Sequence, residues 1–249
     1  MSFIVVIPAR FAATRLPGKP LLDIAGKPML QHVYERALGS AATAVYIATD
    51  DERIRAAALR FTPHVCMTRT THQSGTDRIQ EVAAQLRLAE EAIIVNVQGD
   101  EPLIPAAAIN QVARNLEEHP LAGIASLYED IDTVHEFQNF NAVKVVTDLQ
   151  GHALYFSRSP VPWCNPANPA PEVFGKRHIG IYAYRVSTLN RYVGWPQAPL
   201  EISERLEQLR AMSHGIRIHM DRACAKIPAG VDTQEDLDAV RDLLRGATQ

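Results

Sequence analysis

Three short apolar runs, each without polar alternation and separated by stretches of helical spacing, limit most severely what this chain can become. "FIVVI" (Phe3 to Ile7), "AVYIAT" (Ala44 to Thr49) and "AIIVNV" (Ala92 to Val97) hold too few polar residues to keep one face wet. Such runs predict strands buried on both faces, as in a parallel sheet covered by helices. "MLQHVYERAL", "ERIRAAALRF" and "DRIQEVAAQL" have the spacing of the covering helices, and the last lines up Ile79, Val82, Ala83 and Leu86 on one side. Strand and helix alternate, which predicts an α/β fold with a mostly parallel sheet, flanking helices and right-handed crossovers.

The second half changes character. "AVKVVTD", "HALYFSR" and "IGIYAYR" are rich in β-formers, and a Pro- and Asn-laden loop from Pro160 to Arg177 interrupts them. One helix is expected over "LEISERLEQLRAM", with Ile202, Leu206 and Leu209 as its buried stripe. Another is expected over "QEDLDAVRDLL", burying Leu237, Val240 and Leu244. No repeat or linker divides the chain, so residues 1–249 read as one domain carrying a β-rich insertion. At 47% hydrophobic and 21% charged, 249 residues suffice for a sizeable core.

A formal net charge of −3 gives no global attraction to nucleic acid or an anionic membrane, so any anion site must be local. No apolar stretch is long enough to span a bilayer, and "MSFIVVIPAR" lacks the regions of a signal peptide, so the expected place is the cytoplasm. Cys66, Cys164 and Cys224 are odd in number and far apart, which suits buried, reduced thiols rather than a metal or redox pair.

In an open parallel sheet, ligands bind beyond the carboxyl ends of the strands. "PARFAATRLPGKPL" starts where the first strand ends. Pro17 and Pro20 stiffen it, Gly18 lets backbone approach a ligand, and Arg10, Arg15 and Lys19 bring positive charge suited to a triphosphate. A solvated basic turn is the plainer alternative. There is no GxxxxGK[ST] loop and no GxGxxG after the first strand, which argues against a Walker-type ATPase and a dinucleotide-dependent dehydrogenase. "NVQGDEP" sets Asp100 at the lip of the sheet, either as part of a Gly-Asp turn or as a ligand for Mg²⁺. In "AGVDTQEDL", Asp232 can cap the last helix with Glu235 three residues on, or turn its carboxylate to the same metal.

Taken in order, "IPARFAATRLPGKPL", "HQSGTDR", "VNVQGDEP", "NAVKVV", "ALYFSR", "RHIGIYAYR", "PLE…LEQLR" and "GVDT.EDL" span nearly the whole chain. Together they resemble the 3-deoxy-D-manno-octulosonate (Kdo) cytidylyltransferases, or CMP-Kdo synthetases, of the sugar-acid nucleotidyltransferase family. The resemblance implies a Rossmann-like fold whose β-rich insertion serves sugar binding and dimerisation. The nucleotide half would span about residues 1–130 and the sugar half about 131–249. It implies the reaction CTP + Kdo → CMP-Kdo + pyrophosphate, dependent on Mg²⁺, in the cytoplasm of a Gram-negative bacterium making lipopolysaccharide, and a homodimer that binds neither nucleic acid nor membrane.

By the same resemblance, Lys19, Arg15 and Asp100 are catalytic, and Arg10, Arg15, Lys19, Ser74, Gly75 and Gln98 bind nucleotide. Arg158, His178, Tyr182, Glu207 and Gln208 bind the sugar acid, and Asp100 with Asp232 holds Mg²⁺. Read locally, each has a plainer alternative. Ser74 can start a helix with Asp77, Arg158 can be a surface charge, His178 a satisfied strand-end histidine and Tyr182 a core aromatic. Glu207 and Gln208 can be the wet face of a helix. Lys176 and Arg177 either attract the acid or keep a loop soluble. The chain departs from the family pattern at Phe140, where proline is expected, in a shorter "IPAGVDT", and in the composition of the Pro160–Arg177 loop. Alternatives are a cytidylyltransferase for another ulosonic acid, such as amino-Kdo or a sialic acid, and a nucleotide-sugar binding module without catalysis. The module would be expected to lack Lys19, Asp100 or Asp232, and all three are present.

Overall fold

A computed structural model describes residues 2–12, 16–72, 74–164 and 173–246. In chain order the strands are β1 (Phe3–Ala9), β2 (Asp23–Ile24), β3 (Lys27–Pro28), β4 (Ala44–Thr49), β5 (Val65–Met67), β6 (Ile93–Asn96), β7 (Ile124–Ile131), β8 (Lys144–Thr147), β9 (Ala153–Ser157), β10 (Gly175–Arg185) and β11 (Ile218–Arg222). The helices are α1 (Met29–Leu38), α2 (Glu52–Ala58), α3 (Gly75–Gln85), α4 (Ala106–Glu118), α5 (Val134–Gln138), α6 (Val186–Tyr192), α7 (Pro199–Glu204), α8 (Gln208–Ser213) and α9 (Gln234–Gly246).

The main sheet runs in the order β11-β7-β10-β6-β1-β4-β5, with the β8–β9 hairpin attached to β10. β1, β4, β5 and β6 pair in parallel, as their continuous apolar runs require, while β10 lies antiparallel to both β6 and β7. One face is covered by α1 and α4 through Leu30, Val33, Ile109 and Val112; the other by α3, α6 and α8 through Ile79, Val82, Leu189 and Leu209. Each such fully buried aliphatic side chain contributes about 1.5–3 kcal/mol. A separate cluster of Ile24, Met29, Val231, Leu237 and Val240, with Leu244 against it, clamps α9 onto the β2–β3 ribbon.

Two neighbouring rows of side chains cross the α3 face. The first, Ile4–Ile94–Tyr184–Ile124–Ile218, is apolar or aromatic throughout. The second, one pleat nearer the carboxyl ends of β1 and β6, is Val6–Asn96–Tyr182–Ser126–Met220. The amide of Asn96 and the hydroxyl of Ser126 therefore enter the sheet face in one step along the strands.

The structure corrects three expectations. The continuous helix expected over residues 200–212 is broken at Arg205, which takes left-handed angles (φ 54°, ψ 48°) between α7 and α8. Leu206 and Leu209 are buried as expected, but Ile202 is 61% exposed. The turn rotates α7 so that Glu201 faces inward, where it holds Arg210 through two charged hydrogen bonds of 2.5 and 2.8 Å. Cys66 and Cys164 are half-buried rather than buried and Cys224, in the surface segment after β11, is exposed. The last helix is not started by Asp232 and Glu235: the Asp236 backbone N–H donates to Thr233 Oγ1, and Asp236 Oδ2 accepts from the backbone N–H groups of Asp232 and Thr233. Thr233 has the hydroxyl and Asp236 the spacing of a reciprocal cap, which leaves the Asp232 carboxylate for other work.

Candidate active site

The carboxyl ends of β1 and β6 bring the first group of residues together. β1 ends at Ala9 and Arg10 lies just beyond it. The chain then returns through Gly18, whose φ of +69° favours glycine and where a Cβ would crowd Phe11 Cζ at 3.1 Å. A short 3₁₀ turn, Lys19–Leu21, follows. Lys19 Nζ donates to Asp100 Oδ2 at 2.7 Å, the Val231 carbonyl at 2.8 Å and Asp232 Oδ1 at 3.1 Å.

Backbone contacts fix that convergence. Gly99 lies where a Cβ would stand 2.8 Å from the Pro8 carbonyl, so β6 can turn against β1 only with glycine there. The Val231 N–H donates to the Asp100 carbonyl at 2.8 Å, docking the segment that carries Asp232 directly on Asp100. Burial works against the Lys19 ammonium, but the Asp100 charge and hydrogen bond, with those of Asp232, outweigh it and hold its pKa above the ordinary lysine value. The neighbouring Glu101 is pushed up to about 8 by burial and by the Asp100 charge.

Three cavities meet here. One is walled by Arg10, Lys19, Gly75, Gln98, Gly99 and Asp100. A second, of about 230 Å³, shares Gly75 and Gln98 with it and continues along Asn96, Tyr182, Arg205, Glu207 and Gln208. A third joins Asp100 and Asp232 to Asn141, Arg177 and His178. The crevice is therefore continuous from the basic loop to the β-rich half.

Ser74 and Gly75 stand at the start of α3. The Ser74 hydroxyl and the Asp77 carboxylate form a reciprocal cap, and Gly75 lines both of the first two cavities. Ser74 thus performs its plainer role, and its buried side chain is committed to it. Fully buried Arg78 orients the helix, with Nη2 2.8 Å from Asp50 Oδ2 and Nη1 on the Thr68 hydroxyl. Gln98 Nε2 comes within 3.5 Å of the Gly180 carbonyl.

The β-rich half brings His178, Tyr182, Glu207 and Gln208 to the crevice. β10 carries a bulge between Ile179 and Tyr182. Ser126 Oγ sits opposite, 3.0 Å from the Ile179 carbonyl, 2.8 Å from the Ile181 carbonyl and 3.0 Å from His178 Nε2. A hydroxyl donates one proton, so with a carbonyl taking it, His178 presents Nε2–H to the oxygen. Burial, and then the Arg177 charge, lowers the His178 pKa to about 3, which keeps the ring neutral. Its ring centre is 5.3 Å from that of Tyr182. Glu207 lines the cavity with part of its surface exposed, and desolvation raises its pKa despite a 3.2 Å hydrogen bond from Thr76.

Arg158 is placed differently. It does not lie on the walls of these three cavities. Its Nε donates to the Glu204 carbonyl at 2.8 Å and Nη1 to the Phe140 carbonyl at 3.1 Å, while buried Lys144 caps its own carbonyl at 2.7 Å. Arg177 is ion-paired with Glu129 and Glu136, and Lys176 donates to Thr147. Arg15 and residues 165–172 of the Pro160–Arg177 loop lie outside the described residues.

Sequence reasoning did not single out Asn96, Thr76, Glu101 or Arg205. Asn96 had a readable signal, a polar residue within an apolar run. Arg205 had none, because its position depends on the break between α7 and α8.

The cytidylyltransferase family model matches residues 4–218. A 3-deoxy-manno-octulosonate cytidylyltransferase of Cellvibrio japonicus is 58% identical, covering 98% of each chain. The protein of that name from Alcanivorax borkumensis is 56% identical over 99% of this chain and 100% of its own. Among solved structures, CMP:2-keto-3-deoxy-manno-octonic acid synthetase complexed with CTP superposes with a TM-score of 0.91 at 43% identity, covering 99% of each chain. A Leptospira borgpetersenii cytidylyltransferase shares the fold, with a TM-score of 0.61 at 18% identity over 98% of this chain and 87% of its own.

Proposed function

The chain belongs to the cytidylyltransferase family, and from that premise we propose that it couples CTP to Kdo, giving CMP-Kdo and pyrophosphate. The observation that carries this reading is the meeting of Lys19, Asp100 and Asp232, from three distant stretches of chain, beside a cavity walled by Arg10, Lys19 and Asp100 that shares Gly75 and Gln98 with the cavity of Tyr182, Glu207 and Gln208.

Two carboxylates within reach of one ammonium suit Mg²⁺, which binds through one or two carboxylates and completes its shell with phosphate oxygens and water. Among the described residues no group of three or more His, Cys, Asp or Glu side chains could hold a metal ion, so Asp100 and Asp232 would be its carboxylate ligands, with phosphate oxygens and water as the others. Held by Asp100 and Asp232, Mg²⁺ would neutralise triphosphate charge and acidify the attacking hydroxyl.

The protein's own groups do the rest. Arg10, Arg15 and Lys19 bind the triphosphate; the 2-hydroxyl of Kdo forms a bond to the α-phosphorus as the bond to pyrophosphate breaks, and its proton is released. Lys19 stabilises charge on the transferring and leaving groups, and no covalent nucleophile is needed. The cavity of Tyr182, Glu207, Gln208 and Gln98 holds the acid, with His178 as a neutral hydrogen-bonding neighbour. Arg158 reaches the carboxylate only by giving up its bonds to the Phe140 and Glu204 carbonyls.

The substrate implies cytoplasmic work in lipopolysaccharide synthesis. Among the described residues no helix is long and apolar enough to cross a membrane. A homodimer would cover exposed apolar side chains of the second half such as Phe140, Leu154 and Trp163, and light scattering tests it. The activity test is pyrophosphate release with Mg²⁺ and CTP, UTP or ATP, each with Kdo, N-acetylneuraminate or no acceptor. Release with CTP and Kdo alone is expected. Release with the other acid overturns the acceptor, and no release with any pair overturns the enzyme reading.

A further inference from the structure

The acid-side cavity contains a polar group that the reading so far does not use. Asn96, the last residue of β6, is 4% exposed and lines the cavity beside Thr76, Tyr182, Tyr184 and Gln208. Its Oδ1 is buried without a hydrogen-bond partner among the described residues, and the buried Nε2 of Gln208 is in the same condition. Nor does the Nδ2 of Asn96 donate to any described residue.

The sheet makes this more than an isolated oddity. In the row one pleat below, the same strand and face carry Ile94, packed between Ile4 and Tyr184. An apolar residue at position 96 would extend that apolar row toward Val6 and Tyr182. Ser126, in the same upper row, is satisfied by donating to a β10 carbonyl and accepting from His178, whereas Asn96 is not. A buried amide without a partner is destabilising in the empty protein, and a ligand hydroxyl that pairs with it removes the penalty.

We propose that the Asn96 amide is a specificity-determining contact, hydrogen-bonding one hydroxyl of the bound sugar acid from the floor of the cavity. The proposal rests on the cytidylyltransferase reading of this site. An acid lacking that hydroxyl leaves the amide unpaired and binds correspondingly less well.

The test compares wild type, Asn96→Ala and Asn96→Leu in pyrophosphate release with Kdo and with Kdo analogues each lacking one hydroxyl, alongside thermal unfolding without ligand. Both variants are expected to lose about 10- to 100-fold in kcat/KM for Kdo. The loss should lie in the KM for the acid, with the KM for CTP unchanged. Against one deoxy analogue, wild type and variants should perform alike. Asn96→Leu should unfold at a higher temperature than wild type, the reverse of what a structural asparagine would do. Equal losses across all analogues, a matching rise in the KM for CTP, or a lower melting temperature for the leucine variant would overturn the proposal. If wild type turns over a different sugar acid, the Kdo reading fails, and Asn96 is judged by the same comparison on that acid and its deoxy forms. If it turns over none, both readings fall.

Discussion

The two ends of the crevice satisfy their polar groups in opposite ways. On the nucleotide side, Lys19 is bound to two carboxylates and a carbonyl, and each carboxylate has the lysine in return. On the acid side, Asn96 and Gln208 hold buried atoms with no partner, within a cavity they share with Tyr182, Tyr184, Ile124 and Leu206. Charged groups cannot be left bare at tolerable cost, whereas an amide can. A site for a triphosphate therefore has to carry its own counter-charges. A site for hydroxyl groups can be left open and selective.

The largest expected break in this comparison comes from Lys19→Ala, which should lower kcat by about 10³-fold. Melting should shift by no more than about 3 °C, because the carboxylates it uncovers reach solvent. A kcat within tenfold of wild type would remove Lys19 from the chemistry. Next is the pair beneath the acid cavity. Glu201→Ala leaves Arg210 buried and uncompensated, and should cost about 3 kcal/mol in denaturant unfolding. Because that pair joins α7 to α8, the KM for the acid should rise as well. The double variant Glu201→Leu/Arg210→Met should recover most of the stability, and failure to recover would mean the pair specifies the break itself.

A smaller effect follows from two histidines, half-buried His178 on the acid side and buried His219 at the far edge of the sheet. His219 is lowered to about 4 by burial and by His119 stacked 3.6 Å away, with Asp221 and Asp148 opposing and His152 reinforcing the shift. His178 is lowered to about 3. As pH falls below the ordinary histidine value near 6.5, the unfolded chain takes up protons that the folded chain refuses, so stability declines until the folded values are reached. Between pH 7 and 5.5 each should cost about 1 kcal/mol, and His219→Gln should flatten part of that slope in denaturant melts. A slope unchanged in that variant would mean His219 titrates normally.

What could be read from residues alone follows from how local the signal is. β4 and α1 were legible to the residue because an unbroken apolar run and a complete helical stripe need nothing beyond themselves. The basic loop and Asp100 were legible because they follow strand ends, where ligands of such sheets gather. The α7–α8 break was not, since the apolar spacing of residues 202, 206 and 209 is continuous and the contact that overrules it joins Glu201 to Arg210 in space. The role of Asp232 was half legible. Thr233 and Asp236 were as available for capping as Asp232 and Glu235, and only the docking of Val231 on Asp100 separates the two readings.

The paired rows on the α3 face have a consequence for how such an enzyme can change its preferences. Ile94 and Asn96 lie about 7 Å apart on one face of one strand, so the dry foundation and the floor of the site are consecutive courses of the same masonry. Replacing stones in the upper course alters which acid fits without disturbing the course that bears the load. A family built on this sheet can diversify its acceptors through a few positions at the strand ends while the fold beneath stays as it was.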